Sequence, residues 1–151
     1  MSDKFIKLSS TFFNIGYSPF APGTAASAAG ALIAILLQNH PLLYIVLFIV
    51  ITRIGFLVSG KMEELEGKKD PGCVVIDEIS GIMISFFLIP ITWPTVVITF
   101  FLFRAFDMFK IYPANKLEDM GGARGIMMDD IMAGVYTNIV MQIAVRWAGV
   151  I

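Results

Sequence analysis

The sequence predicts an all-α fold: a compact multi-helix bundle of about five apolar helices, integral to a membrane, with its polar site at one set of helix ends. Three observations lead there. Hydrophobic residues make up 57% of the 151 residues, where ordinary soluble domains hold about 45–50%. Charged residues make up 15%, against about 25% in soluble domains. The apolar residues also gather into five segments, and the breaks between them alternate between uncharged and densely charged.

The first segment, 24–37, opens on small residues after Pro22 and Gly23, which supply a turn, with Thr24 as a capping hydroxyl. The second, 42–60, follows Asn39, His40 and Pro41 and reaches the roughly 17–25 residues that a bilayer-spanning helix needs. The third, 76–89, carries Asp77 and Glu78 in its first turn, where the helix dipole favours negative charge. A break between Pro90 and Pro94 leads to the fourth, 95–110. The fifth, 131–151, is again long enough to span, and Asp129 and Asp130 stand at its start in the same manner. The first, third and fourth are short for a span, which local thinning or partial immersion accommodates. No linker or low-complexity tract interrupts the chain, so residues 1–151 read as one domain.

If the segments cross alternately, the N-terminus and the charged loops 61–77 and 110–130 share a side. Every Asp and Glu falls there, as do all Lys and Arg except Arg53 and Arg146. The positive-inside rule makes that side the cytoplasm. Arg146 runs against the rule and is assigned to the outer interface by snorkelling, and Arg53 snorkels or pairs with an acid. The starts at Thr24, Asp77 and Asp129 would then face one region, and exposed N–H groups at helix starts bind phosphate. Net charge of −1 gives no reason to expect a nucleic-acid partner. A single cysteine, Cys73, excludes an internal disulfide, and a single histidine, His40, excludes a multi-histidine metal site. Residues 1–13 carry Lys4 and Lys7 and show no cleavable signal peptide.

Three acidic clusters stand out: VIDEISG at 75–81, FRAFDMFK at 103–110 and GGARGIMMDD at 121–130. Carboxylates are the hard oxygen ligands of Mg²⁺, which shares its shell between one or two carboxylates, water and substrate phosphate. Arg104 and Lys110 lie three residues either side of Asp107, about 60° away on one helical face. A carboxylate between two cations suits a site for metal and phosphate together. Each cluster taken alone has a plainer reading. An acidic pair can be a helix cap, Arg104, Asp107 and Lys110 an ion-pair ladder, and Gly121, Gly122 and Gly125 an ordinary turn. Together at membrane ends on one side they are costly to bury without a cation, which favours a metal site. Cys73 is followed by no arginine that would hold phosphate for a thiolate nucleophile, and His40 is assigned to the opposite side. Metal-assisted hydrolysis of a phosphate ester remains.

With the SPFAPGT stretch at 18–24 ahead of them, these clusters resemble the phosphatidylglycerophosphatase A family. The likeness runs from about Gly16 to Gly134 and rests on four motifs in order. Ile111 stands where many relatives carry proline, and Ala26 where glycine is frequent. The resemblance implies an all-α, Mg²⁺-dependent phosphatase of the bacterial inner membrane that converts phosphatidylglycerol phosphate to phosphatidylglycerol. It assigns Asp77, Glu78, Asp129 and Asp130 to the metal. Asp107 would ligate metal or accept a proton from water, and Arg104 and Lys110 would hold phosphate, with Thr24 donating its hydroxyl or amide. Asp77, Asp107, Asp129 and Lys110 form the catalytic set. Expected partners are the lipid substrate and the membrane, with self-association left open. The competing class is a small divalent-cation-binding or transporting membrane protein, which would place its ionisable groups near mid-bilayer on broken helices. A purely structural membrane subunit leaves the concentration of acids unexplained.

Overall fold

A short helix of eleven residues, buried on nearly all sides, organises the molecule. In the computed structural model, which describes residues 1–147 with the side chain of Glu118 excepted, seven α-helices form and no strand occurs among the described residues. They are α1 (Asp3–Ser10), α2 (Pro22–Leu36), α3 (Pro41–Glu66), α4 (Ile76–Phe86), α5 (Trp93–Phe109), α6 (Ala114–Glu118) and α7 (Gly122–Arg146), with a 3₁₀ turn at Ile15–Tyr17. The all-α expectation holds. The five apolar segments correspond to α2, α3, α4, α5 and α7, while α1 and α6 are additional.

The boundaries have local causes. Pro22 and Pro41 begin α2 and α3, where a missing N–H costs nothing. Gly67, at φ +63°, ends α3 in the left-handed conformation that glycine tolerates. Thr92 and Thr95 cap the start of α5 reciprocally, each side chain bonded to the other's backbone N–H. Two expectations fail here. The fifth segment begins at Gly122 rather than 131, so Asp129 and Asp130 lie about two turns inside α7 and cap nothing. Its residues 148–151 lie outside the described residues. Likewise α2 starts at Pro22, so the Thr24 hydroxyl caps no helix, though its amide belongs to the first turn that a helix leaves without internal partners.

The helix α4 runs parallel to α7 in strict register. Asp77 meets Asp130, Gly81 meets Gly134 and Ser85 meets Asn138, a constant offset of 53 residues. The two backbones touch at the glycines: a Cβ on Gly134 would lie 2.3 Å from the Gly81 carbonyl oxygen. Further along, the Asn138 carboxamide donates to the carbonyls of Ile84, Ser85 and Phe87 at 3.1, 3.2 and 2.8 Å. The Ser85 and Phe87 carbonyls lie at the end of α4, where helical partners run out, and the Ile84 carbonyl also accepts from the Phe87 amide. On its other sides α4 meets α2 at Gly30, α5 at Phe103 and the antiparallel α3, where the Tyr44 hydroxyl donates to the Met83 carbonyl.

The all-helical part of the expected membrane bundle is present, and helix length supports one of its five spans. α3 alone, with 26 residues, is long and apolar enough to cross a membrane among the described residues. α4 rises about 16 Å, against roughly 30 Å of hydrocarbon. Its apolar side chains, Ile79, Ile82 and Met83 among them, face neighbouring helices. The outer surfaces of α2, α3, α5 and α7 nonetheless expose large apolar residues, including Leu36, Leu43, Phe101 and Ile143. Adding a methyl group at the glycine contact has a definite expected cost. Gly134→Ala should destabilise the protein by about 1–3 kcal/mol through overpacking, read as a lowered melting temperature in detergent. Gly72→Ala, in open space, should leave it unchanged.

Candidate active site

The register of α4 and α7 brings together residues that are far apart in sequence. Asp77, Glu78 and Asp130 each direct a carboxylate oxygen to one place, all within 4.8 Å of one another. Asp77 and Asp130 are 7% and 4% exposed. Asp77 Oδ1 and Glu78 Oε2 are buried and have no hydrogen-bond partner among the described residues. A buried carboxylate oxygen left so costs several kcal/mol. Three convergent carboxylates, two of them with an orphaned oxygen, are the donor set of a hard divalent cation. The residues therefore fit a metal, and the buried acidic cluster can hold one.

Around this centre stand the other expected residues. The α5 residue Arg104 donates to Asp107 Oδ2 one turn on. It also reaches Ser27 Oγ at 3.5 Å, and that hydroxyl donates to the Gly23 carbonyl at 2.8 Å. Lys110 does not extend the face shared by Arg104 and Asp107. α5 stops at Phe109, and Lys110 adopts φ +44°, which turns its side chain to Asp129 Oδ2 at 2.9 Å. Asp129 thus engages Lys110 and, through Oδ1, the Asp130 amide at 3.0 Å, standing beside the three-acid centre rather than within it. Thr24 is exposed in the first turn of α2. The expected sets thereby separate: Asp77, Glu78 and Asp130 converge, Arg104 pairs with Asp107, and Lys110 with Asp129.

Crowding shows in the acidities. Burial, then the charges of Glu78 and Asp130, pushes the Asp77 carboxyl well above the usual range. Burial, then Asp107 and Glu78, does the same to Asp130. Burial raises Glu78 to about 7, and raises Asp129 to about 6 against the opposing pull of Lys110. Outside this region, burial and then the Glu66 charge raise the Cys73 thiol, the reverse of an activated nucleophile. His40 precedes α3 at the far end of the bundle.

Sequence reasoning missed three contributors. Gly23 lets α2 approach the site, since a Cβ there would lie 2.3 Å from Glu78 Oε1. Ser27 touches Arg104. Asp70, in the loop before α4, stands near enough for its charge to raise Asp129. The glycine in the APGT turn and the acid in the charged loop were visible signals. Ser27 carried none.

The protein is all-helical among the described residues, with a buried acid centre that can hold a metal and the ion-paired Arg104 and Lys110 beside it. The chain belongs to the phosphatidylglycerophosphatase A family, a family of phosphatases, whose model matches residues 8–145. It is 40% identical to a Bacteroides thetaiotaomicron protein named putative phosphatidylinositol-3-phosphatase, over 91% of each chain. It is 32% identical to the phosphatidylglycerophosphatase A of Haemophilus influenzae, over 94% of this chain and 90% of the other. To that of Escherichia coli it is 33% identical, over 89% and 81%. No solved structure matches it significantly.

The raised acidities fix a sign for pH dependence. Carboxyls whose folded pKa lies above the unfolded value of about 4 stabilise the fold fully below that value. That stability is lost as pH rises through about 6 and 7, where Asp129 and Glu78 ionise. Metal-free protein should therefore melt lower at pH 8 than at pH 5, and a saturating divalent cation should reverse the loss. Asp130→Asn should flatten the metal-free profile. A melting temperature that rises with pH in the metal-free protein would count against the clustered, proton-holding arrangement.

Proposed function

We propose that this enzyme hydrolyses phosphatidylglycerol phosphate to phosphatidylglycerol and inorganic phosphate with Mg²⁺. One observation carries the reading: the buried carboxylates of Asp77, Glu78 and Asp130, two of them with an unpartnered oxygen, converge beside Arg104 and Lys110. Asp77, Glu78 and Asp130 would hold Mg²⁺, which when bound withdraws charge from the phosphoryl group as a Lewis acid. Arg104 and Lys110 bind phosphate oxygens, and Thr24 offers its amide and hydroxyl to another. Asp129 orients Lys110 and adds a further oxygen donor at the edge of the centre. Asp107 accepts the proton of the attacking water. The water oxygen bonds to phosphorus as the phosphorus–ester oxygen bond breaks. The leaving glycerol oxygen takes up the proton that Asp107 accepted from the water, giving phosphatidylglycerol and inorganic phosphate and restoring the carboxylate. The name of the Bacteroides relative favours a second reading with the same chemistry, in which the phosphate sits on an inositol lipid.

We place the protein in the bacterial inner membrane as a multi-pass bundle with the site toward the cytoplasm. The exposed apolar exterior supports immersion. Arg53 is exposed on α3 close to Gly55, which packs against Ile76 and Met127 at the level of the acid centre. A snorkelling arginine at that height sets the headgroup plane beside the acids.

Purified protein assayed on phosphatidylglycerol phosphate and on phosphatidylinositol 3-phosphate should release phosphate faster from the first. EDTA should abolish release and added Mg²⁺ restore it, whereas full activity in metal-free buffer sinks the metal role. Asp130→Asn should lower turnover roughly a thousandfold, about 4 kcal/mol of transition-state stabilisation, without lowering the melting temperature. Cation uptake into vesicles with no phosphate release from either lipid would support a carrier instead. Sidedness is separately open to test with single cysteines at Asn39 and Lys116 in a Cys73→Ser background. An impermeant thiol reagent outside intact spheroplasts should label the first and spare the second. Labelling of both, or of the second alone, would overturn the orientation.

A further inference from the structure

We infer that the groove between α5 and α7 seats an acyl chain of the lipid phosphate whose headgroup occupies the acid centre. The inference rests on the phosphatase reading above and deepens it. The groove measures about 290 Å³ and is lined by Phe106, Ile111, Tyr112, Tyr136, Ile139 and Val140. Its position carries the argument. Phe106 and Ile111 flank, one residue removed, the two side chains that adjoin the phosphate: Asp107, paired with Arg104, and Lys110, paired with Asp129. On α7, Asp129, Tyr136 and Val140 follow one another at spacings of seven and four residues, which puts them on one helical face. Tyr136 lies about 10 Å along the helix from Asp129, and Val140 about 6 Å further. The polar site and the apolar channel are therefore one continuous track, charged at the acid centre and apolar away from it.

The walls are prepared for such an occupant. Phe106 and Tyr136 meet edge to face with ring centroids 5.9 Å apart. The Tyr136 hydroxyl donates to the Tyr112 backbone carbonyl at 2.9 Å, tying the loop after α5 to α7 and giving that hydroxyl a protein partner. Ile139, Val140 and Ile111 are left exposed with their apolar surface turned outward. A molecule with a phosphate at one end and a hydrocarbon chain at the other fills both halves. A free phosphate or a water-soluble sugar phosphate leaves the apolar half empty. A larger groove of about 340 Å³ beside Tyr44, Phe48, Met83 and Phe87 lies at the far end of α4, away from the acid centre.

The test uses a phosphatidylglycerol phosphate with a photoactivatable diazirine in one acyl chain, bound to the intact protein in detergent. Label should concentrate on residues 136–140 of α7. Label on the groove beside Tyr44 and Phe48, or spread evenly over the apolar exterior, overturns the inference. A second arm compares kcat/KM for long-chain and short-chain forms of the lipid. Val140→Trp should lower the long-to-short ratio about tenfold, the low end of the discrimination that one methylene group gives in an apolar pocket. Leu57→Trp, on the outer surface of α3, should keep the wild-type ratio. Equal shifts in both variants overturn the inference. If Val140→Trp fails to fold, the labelling of wild-type protein decides. If the wild-type protein releases no phosphate from the lipid, the hydrolytic reading falls and the labelling pattern still tests the groove.

Discussion

The contact between Gly81 and Gly134 is the constraint on which the rest depends. Two helices normally pack with axes about 8–10 Å apart, depending on the side chains between them. With hydrogen as the only side chain on both faces, α4 and α7 approach until a carbonyl oxygen fills the place of a Cβ. Because the helices are parallel and in register, that one contact sets every other pair along them. One turn toward the site lie Asp77 and Asp130; one turn away lie Ser85 and Asn138. The closeness that buries the acids also lets Asn138 reach the carbonyls at the end of α4. Precision at the site is thus produced by a contact that contains no functional group.

Burying acids this way works against the fold unless something compensates. α4 gains apolar packing from Ile79, Ile82, Met83 and Phe86, all buried. Each buried side chain of that size is worth about 1.5–3 kcal/mol, enough to hold a charged helix start in place. The same enclosure explains how a helix of eleven residues persists in so apolar a chain. Its backbone groups are satisfied by its own turns and by Asn138, and its side chains meet protein instead of lipid. The surrounding helices carry the outward apolar surface. The molecule is layered, with a short acidic helix inside and longer apolar helices around it.

Much of this was legible in the sequence, and the failures have physical reasons. The five apolar segments, the turns at Pro22, Pro41 and Pro94, and the three acidic clusters could all be read directly. The start of α7 could not. The polar, glycine-containing stretch 121–130 looks like a loop by composition, yet its backbone is helical because Gly125, Ile126 and Met127 are buried in the bundle. The stretches Ile76-Asp77-Glu78-Ile79 and Met128-Asp129-Asp130-Ile131 are alike in sequence. In space they are shifted by one: Asp77 faces Asp130, which frees Asp129 to meet Lys110. Helical periodicity places Lys110 beside Asp107, and the left-handed turn at Lys110 overrules it. Periodicity describes a helix and cannot say where the helix stops. Apolar composition, in turn, cannot distinguish a helix wrapped by other helices from one wrapped by lipid.

The balance of charge connects this geometry to the chemistry. Asp77, Glu78, Asp107, Asp129 and Asp130 gather around Arg104 and Lys110, so that five carboxylates meet two cations. Fully ionised, this region is negative and repels a phosphate dianion. Protonation relieves the repulsion, but it also occupies the oxygen lone pairs that a cation would use. A divalent cation relieves it without that loss and adds a partner for phosphate oxygen. Under the proposed function metal and substrate would be coupled: a cation at Asp77, Glu78 and Asp130 would lower the cost of bringing phosphate near Asp107 and Asp129. Arg104 and Lys110 alone lack the charge to do this, since each is already engaged by a carboxylate. The ion pairs hold these cations at the edge of the centre, where a phosphate bridging metal and cations can compete for them. On this account the acids are too numerous for a simple anion-binding pocket because the pocket is built for a cation first and a phosphate second.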